Sequence, residues 1–188
     1  PGVFISTLAN TTGKYYWEMF VETVGYTTQG VIAYDALIQT GAVTYLYTPA
    51  AGYGYVYTGN KGNNNSQVSY GDSYTSGDYI SVAFDQTNGS IWFAKNGVWQ
   101  NSATTAEIGA GTTTNSAYSS MPTNGNVYAP AFGLDNSAVT RINYGNGTFG
   151  TTTLSTTYSP TVGDTSAKFK YNIIPTGFTA VSTKGYNA

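Results

Sequence analysis

The sequence predicts an all-β protein, two antiparallel sheets packed as a β-sandwich with very little helix, and three observations carry that expectation. Apolar residues alternate with polar ones along short runs and nowhere hold a period of 3.6 over ten or more positions. Asn-Gly pairs and polar, glycine-containing stretches punctuate those runs at the spacing of a sandwich. The composition, with 23 Gly, 18 Tyr and abundant Thr, Ser and Asn, suits strands and turns far better than helices.

The first strand follows Gly13. In GKYYWEMFVETVG, residues Tyr15, Trp17, Met19 and Val21 point one way and Tyr16, Glu18, Phe20 and Glu22 the other. Gly30 to Tyr34 reads as its antiparallel neighbour. Tyr53-Gly54-Tyr55-Val56-Tyr57 places three tyrosines on one strand face, where they are expected to pack along the sheet surface, and Asn63-Asn64-Asn65-Ser66 reads as loop. The clearest hairpin joins Asp78–Asp85 to Ser90–Lys95 through Asn88-Gly89, which supplies the positive φ a tight reversal needs. Asn96-Gly97 turns the chain again, so Val98-Trp99 returns along the sheet or caps its end. Tyr128–Leu134 and Ala138–Asn143 read as a final pair around Asp135-Asn136-Ser137, with Pro130 marking an edge or a bulge. Long loops are expected over Asp35 to Gly52 and Asn101 to Asn126.

Several function classes lose support from composition alone. At 188 residues a chain buries about 70% of its unfolded surface, so a core needs neither disulfide nor metal. Cys and His are both absent, which removes thiol chemistry, the usual zinc ligands and imidazole catalysis. Charged residues make up 9% of the chain, the net charge is -2 and the seven cations are scattered, which argues against nucleic acid as a partner. No apolar run reaches the roughly 18 residues of a membrane span, and no export signal is visible, so a soluble protein without membrane insertion is expected. A chain opening on Pro1 is expected to have been trimmed, processed or cut from something longer.

Catalytic and metal-binding patterns fare no better. Glu18 and Glu22 share a strand face about 13 Å apart, beyond the roughly 5 to 9.5 Å of a glycosidase pair. A solvated or hydrogen-bonded strand face is the plainer reading. Asp85-Gln86-Thr87-Asn88-Gly89 lacks the spacing of a calcium loop, and its residues are those of a turn. Gly145-Asn146-Gly147-Thr148-Phe149-Gly150 lacks the lysine and the helix of a phosphate loop. No cofactor is called for.

Five segments in order resemble a SPRY domain. Gly13-Lys14-Tyr15-Tyr16-Trp17-Glu18 is similar to the family's G-K/R-x-Y-W-E strand, and Gly77-Asp78-Tyr79-Ile80-Ser81-Val82-Ala83-Phe84-Asp85 to its G-D-x-I-G-V-x-x-D. Ile91-Trp92-Phe93-Ala94-Lys95-Asn96-Gly97 resembles I-x-F-x-K-N-G, Tyr128-Ala129-Pro130-Ala131 the Y-P-A block, and Ile142-Asn143-Tyr144-Gly145 the closing N-F-G. Ser81 stands where the family usually has Gly, and Tyr144 where it has Phe. Pro175-Thr176-Gly177-Phe178-Thr179-Ala180-Val181 resembles the P-x-G-F-x-A-L ending of SPRY-like proteins in bacteriophage and phage-derived genomes.

The resemblance implies a concanavalin-like jelly roll over residues 1–150, an extension over 151–188 packed on the same domain, and a binding module rather than an enzyme. It also implies a place in a virion, at the tail or capsid, with partners held by loops at one end of the sandwich. A host-surface glycan or protein is the expected partner. The alternatives are other virion subunits, contacted as a decoration, and, third, a polysaccharide-degrading activity; assembly as a homo-oligomer is compatible with each. Rings with a polar tip make stiff contact surfaces, so the candidate ligand-binding residues are Tyr26, Tyr45, Tyr47, Trp99 and Tyr118, in loops or at strand ends, together with Asn63 and Asn64. The stretch from Gly59 to Gln67 joins the two long loops as a variable contact region. Trp17, Trp92 and Phe93 are assigned to strands and mostly to the core.

Overall fold

The computed structural model describes residues 2–35 and 45–182. Of the loop expected over Asp35 to Gly52, residues 36–44 lie outside the described residues. Along the chain come β1 (Gly2–Ile5), β2 (Lys14–Thr23), β3 (Tyr26–Ala33), β4 (Gly52–Val56), β5 (Asn60–Asn63) and β6 (Ser66–Ser69). They are followed by β7 (Tyr79–Asp85), β8 (Ser90–Lys95), β9 (Val98–Trp99) and the helix α1 (Thr105–Gly109). The chain continues through β10 (Tyr128–Asp135), β11 (Val139–Asn143), β12 (Thr148–Phe149), β13 (Thr152–Thr153) and β14 (Thr179–Ala180).

Sheet A has the order β1-β10-β3-β4-β5-β6 and sheet B the order β11-β2-β7-β8-β9, so the expected two-sheet antiparallel sandwich is present. The alternation in β2 assigns its faces as the sequence implies. Trp17, Met19 and Val21 enter the space between the sheets, where they meet Ile80, Val82 and Phe84 of β7 and Phe93 of β8 from their own sheet, and Val31, Tyr53, Tyr55 and Phe132 from the other. Each such side chain withdrawn from water contributes about 1.5–3 kcal/mol.

Tyr53 and Tyr55 therefore belong to the core, not to an exposed sheet face. Burial of a phenol is tolerable where its hydroxyl finds a partner: Tyr55 donates to the carbonyl of Asp72, and the neighbouring buried Tyr74 donates to Thr27 O at 3.1 Å and Tyr55 O at 3.0 Å. On the outer face of the same strand stand Gly52, Gly54 and Val56. A Cβ at Gly52 would run into the carbonyl of Leu46, and one at Gly54 into Thr28. The missing side chains let residues 45–51 lie as a strap against sheet A, with Leu46 packed on Ile32 and Ala131.

Strand pairing departs from the order read in the sequence. β3 does not neighbour β2 but lies between β10 and β4, and β10 and β11 fall in different sheets. Both connections cross the sandwich at one end and pack on each other: a Cβ at Gly25 would meet Asp135 O, Asn136 O and the Cβ of Ala138. Pro130 is in an inner strand. Its carbonyl accepts from Ser6 N at 2.8 Å, just past the end of β1, so the N–H it lacks falls where that pairing stops. The stretch from Gly59 to Gln67 is largely the β5–β6 hairpin, turned by Asn64 and Asn65 at φ 49° and 56°. Within Asn101–Asn126, Thr104 and Glu107 form a capping box that starts α1 and seats Ile108 in the protein interior.

A third layer covers part of sheet B. Phe169, Phe178 and Ala180 of the C-terminal segment pack with Tyr16, Trp92 and Trp99 on the outer face, and β14 runs parallel to β2 at Tyr15 and Tyr16. Glu18, fully buried, holds that layer in place. Its carboxylate accepts the backbone N–H groups of Lys170 at 2.7 Å and Tyr171 at 3.0 Å, and the Tyr16 hydroxyl at 3.0 Å. Asn143 donates to Lys168 O at 2.9 Å, while its own oxygen accepts from Gly145 N and Gly147 N.

Burial raises the Glu18 pKa, against the lowering effect of its hydrogen bonds. Glu18→Gln places a donor amide against a backbone donor and should cost about 1–3 kcal/mol. Limited proteolysis should then cut after residue 150 at lower temperatures, with denaturant melts giving the magnitude. Burial likewise pushes the phenols of Tyr16, Tyr70 and Tyr74 above their ordinary value and that of Tyr144 up to about 12. The folded state holds those protons more tightly than the unfolded chain, so stability is full below about pH 10 and falls as pH rises beyond it. Thermal melts against pH, read alongside phenolate absorbance, check this.

Candidate functional site

The glycine-lined outer face of sheet A puts aromatic side chains at the surface. Tyr47 lies over Gly62 of β5, where a Cβ would come within 2.7 Å of its ring, and its carbonyl accepts from Asn65 N at 2.9 Å. Tyr45 stacks on Tyr47 with ring centres 5.8 Å apart and planes 8° apart. Tyr26, at the start of β3, lies 4.7 Å from Tyr45 and 5.3 Å from Tyr57. The Tyr26 and Tyr47 hydroxyls share a hydrogen bond of 2.6 Å, and Gln67 Nε2 donates to Tyr26 at 3.2 Å.

Of the candidate residues, Tyr26, Tyr45 and Tyr47 come together on this face, and Asn63 and Asn64 lie in the adjoining β5–β6 hairpin. Asn63 has a structural task, since its Nδ2 donates to Ala50 O and Gly52 O at 2.8 Å each and ties the hairpin to the strap. Asn64 is exposed at the turn. Tyr47 is only 6% exposed, so it acts mainly as the support on which Tyr45 stacks. Burial and the Tyr26 hydroxyl push its phenol well above the usual range. Tyr57 and Gln67 complete it. Tyr57 was legible as the end of an aromatic strand; Gln67 carried no signal, because its role depends on hairpin register.

The other two candidates stand elsewhere. Trp99 does not reach a loop surface: it is 6% exposed, packs edge-on to Tyr16 and donates from Nε1 to Thr105 Oγ1 at 3.1 Å. The short β9 returns it against β8, and α1 covers it. Tyr118 is half-buried at the sandwich rim, edge-on to Tyr53, with Lys61 Nζ 5.1 Å from its ring centre. Lys61 also donates to Ala117 O at 2.7 Å, and burial lowers its pKa.

Polar motif residues are likewise committed to structure. Asp78 accepts from Thr75 N and Asn96 Nδ2 and pairs with Lys95 at 3.4 Å. Burial works to raise its pKa, but these partners outweigh that and hold the carboxyl below the usual range. Asp85 accepts both nitrogens of Asn88 and pairs with Lys14 at 3.5 Å. Glu18 is enclosed, and Glu22 is ion-paired with Arg141. Among the described residues no three His, Cys, Asp or Glu side chains gather where they could hold a metal ion, and no helix is long and apolar enough to cross a membrane.

A layered sandwich whose acidic side chains serve turns and clamps, and whose aromatic side chains reach an outer face, is the architecture of a recognition domain. The SPRY domain profile matches residues 14–147, and the chain belongs to that family. SPRY domains are binding and interaction modules, and the segments similar to the family in sequence are those that build the two sheets here.

Tyr47 and Gly62 offer a direct test of how the aromatic face is supported. Gly62→Ala should displace the Tyr47 ring at a cost of about 1–3 kcal/mol, with shifts in the Tyr26, Tyr45 and Tyr47 ring resonances and none at Trp99.

Proposed function

We propose that this protein is a non-catalytic recognition module of a bacteriophage virion that binds a host-surface target through the tyrosine face of sheet A. The observation that carries this reading is the convergence of Tyr26 and Tyr45 on the Tyr47 support, with Tyr57 edge-on to Tyr26. Tyrosine rings offer large contact area with few rotors to immobilise, and their hydroxyls donate or accept. An uncharged face of this kind suits a protein surface, which anchors on rings and satisfies hydroxyls with its backbone. The setting in a virion is supported by the C-terminal segment, whose Pro175 and Gly177 form a turn that seats Phe178 of the third layer against the outer face of sheet B. It is the segment that resembles phage SPRY-like proteins.

A second reading, contact with other virion subunits, is favoured by a different surface. Phe4 is 59% exposed on β1, an edge strand of sheet A, and Val68 is 58% exposed on β6, the opposite edge. Exposed edge strands with apolar side chains are ready partners for another chain.

Tyr26→Ala with Tyr45→Ala should weaken binding to intact host cells by at least about tenfold, the scale of an anchoring residue, while the far-ultraviolet spectrum stays sandwich-like. Binding that survives this pair, with loss of particle assembly when Phe4 and Val68 are replaced by Ser, would favour the second reading.

A further inference from the structure

The outer row of β2 passes from covered to open. Tyr16 lies under the third layer and Glu18 clamps its border, but Phe20 is half-exposed and Glu22 is at the surface. Here sheet B carries a cavity of about 300 Å³, at the lower limit of small-molecule sites. Phe20, Tyr79 and Phe149 line it as one aromatic surface, with Tyr79 4.8 Å from Phe20 and 5.2 Å from Phe149. Phe149, from the β12–β13 hairpin, is buried and props the other two rings. Lys170 and Tyr171 border Tyr79 from the third layer, the Lys170 Nζ lying 4.6 Å from its ring centre.

The polar lining is of a different kind. Glu22 and Arg141 both line the cavity and are ion-paired through Arg141 Nε, which cancels their charges and holds the carboxylate below its usual pKa. A paired carboxylate and guanidinium still have further acceptor and donor capacity. Thr151 and Thr152, both exposed, add hydroxyls that donate and accept. An occupant must therefore be uncharged, have an apolar face to lie on the rings, and have a rim of hydroxyls to exchange hydrogen bonds with the pair. With the pair compensated, the lining has no net charge to favour an anion or a cation.

We infer that this cavity is a subsite for one neutral hexopyranose unit, stacked on Phe20 and Tyr79 and oriented by Glu22 and Arg141. A pyranose ring meets all three requirements, with C–H groups on one face and hydroxyls at its edge. The site lies on sheet B and stands independently of the tyrosine face of sheet A.

Saturation-transfer NMR on the full chain, with the methyl glycosides of glucose, galactose and mannose as probes, tests the assignment. Transfer to at least one probe at millimolar affinity is expected, weakened by at least about tenfold in Glu22→Ala and in Arg141→Ala. Both side chains are exposed, so these variants keep the fold where Phe20→Ala can lose it. Tyr26→Ala with Tyr45→Ala should leave the transfer unchanged. Transfer to none of the three, transfer that persists in both Glu22→Ala and Arg141→Ala, or transfer lost only with the tyrosines would each overturn the subsite. Tighter binding of a sialic acid glycoside than of the neutral probes would do the same.

Discussion

A single buried carboxylate decides how this sandwich acquires its third layer. Glu18 sits on the outer face of a central strand without a cation within ion-pairing distance among the described residues, and it is held by two backbone N–H groups, a phenol and, at longer range, the amide of Asn143. An isolated carboxylate is costly to bury; the donors around Glu18 offset part of that cost, although burial still raises its pKa. Because the donors come from residues 16, 143, 170 and 171, the carboxylate joins two strands of sheet B to a segment more than 150 residues away in sequence. The aromatic packing of Phe169 and Phe178 supplies area, and Glu18 supplies register, fixing which residues of the C-terminal segment lie over which strand. It also fixes where that cover stops and the open part of the sheet begins.

The two outer faces of the sandwich are closed by opposite means. Sheet B is covered through bulky aromatics and a directional clamp. Sheet A is covered through absence: Gly52 leaves room for the Leu46 carbonyl and Gly62 for the Tyr47 ring, so the strap lies close, with Tyr45 half-buried at the surface beside a buried Tyr47. Tyr47 is supported from below by Gly62 and supports Tyr45 in turn. Stability and display are thus coupled in this strap, and the residue most needed for the shape of the surface is the least exposed of the cluster.

Family motifs that look chemically active are spent on holding turns. Asp78, Lys95 and Asn96 close one end of the β7–β8 hairpin, Asp85 and Asn88 the other, and Asn143 organises the turn before β12. Surface chemistry is left to tyrosine, threonine and a compensated ion pair, which fits recognition.

Fold class, the faces of β2 and the hairpin turns were legible in the residues themselves, because they rest on local rules: period-two alternation in β2, positive φ at Gly89 and at Asn96-Gly97, and the ordered SPRY segments. Even the capping box of α1 was there to be read. Part of the candidate site was legible too, since tyrosine in a polar stretch marks Tyr26 and Tyr45. What the tertiary structure alone decided was partnership. Which strand lies beside β3, that Trp99 is covered by α1, and that Glu18 faces the N–H groups of Lys170 and Tyr171 all depend on groups brought together from distant parts of the chain. Alternation states that a side chain leaves one face of a strand, but whether it then meets water, a ring or a backbone donor is settled only by what packs there.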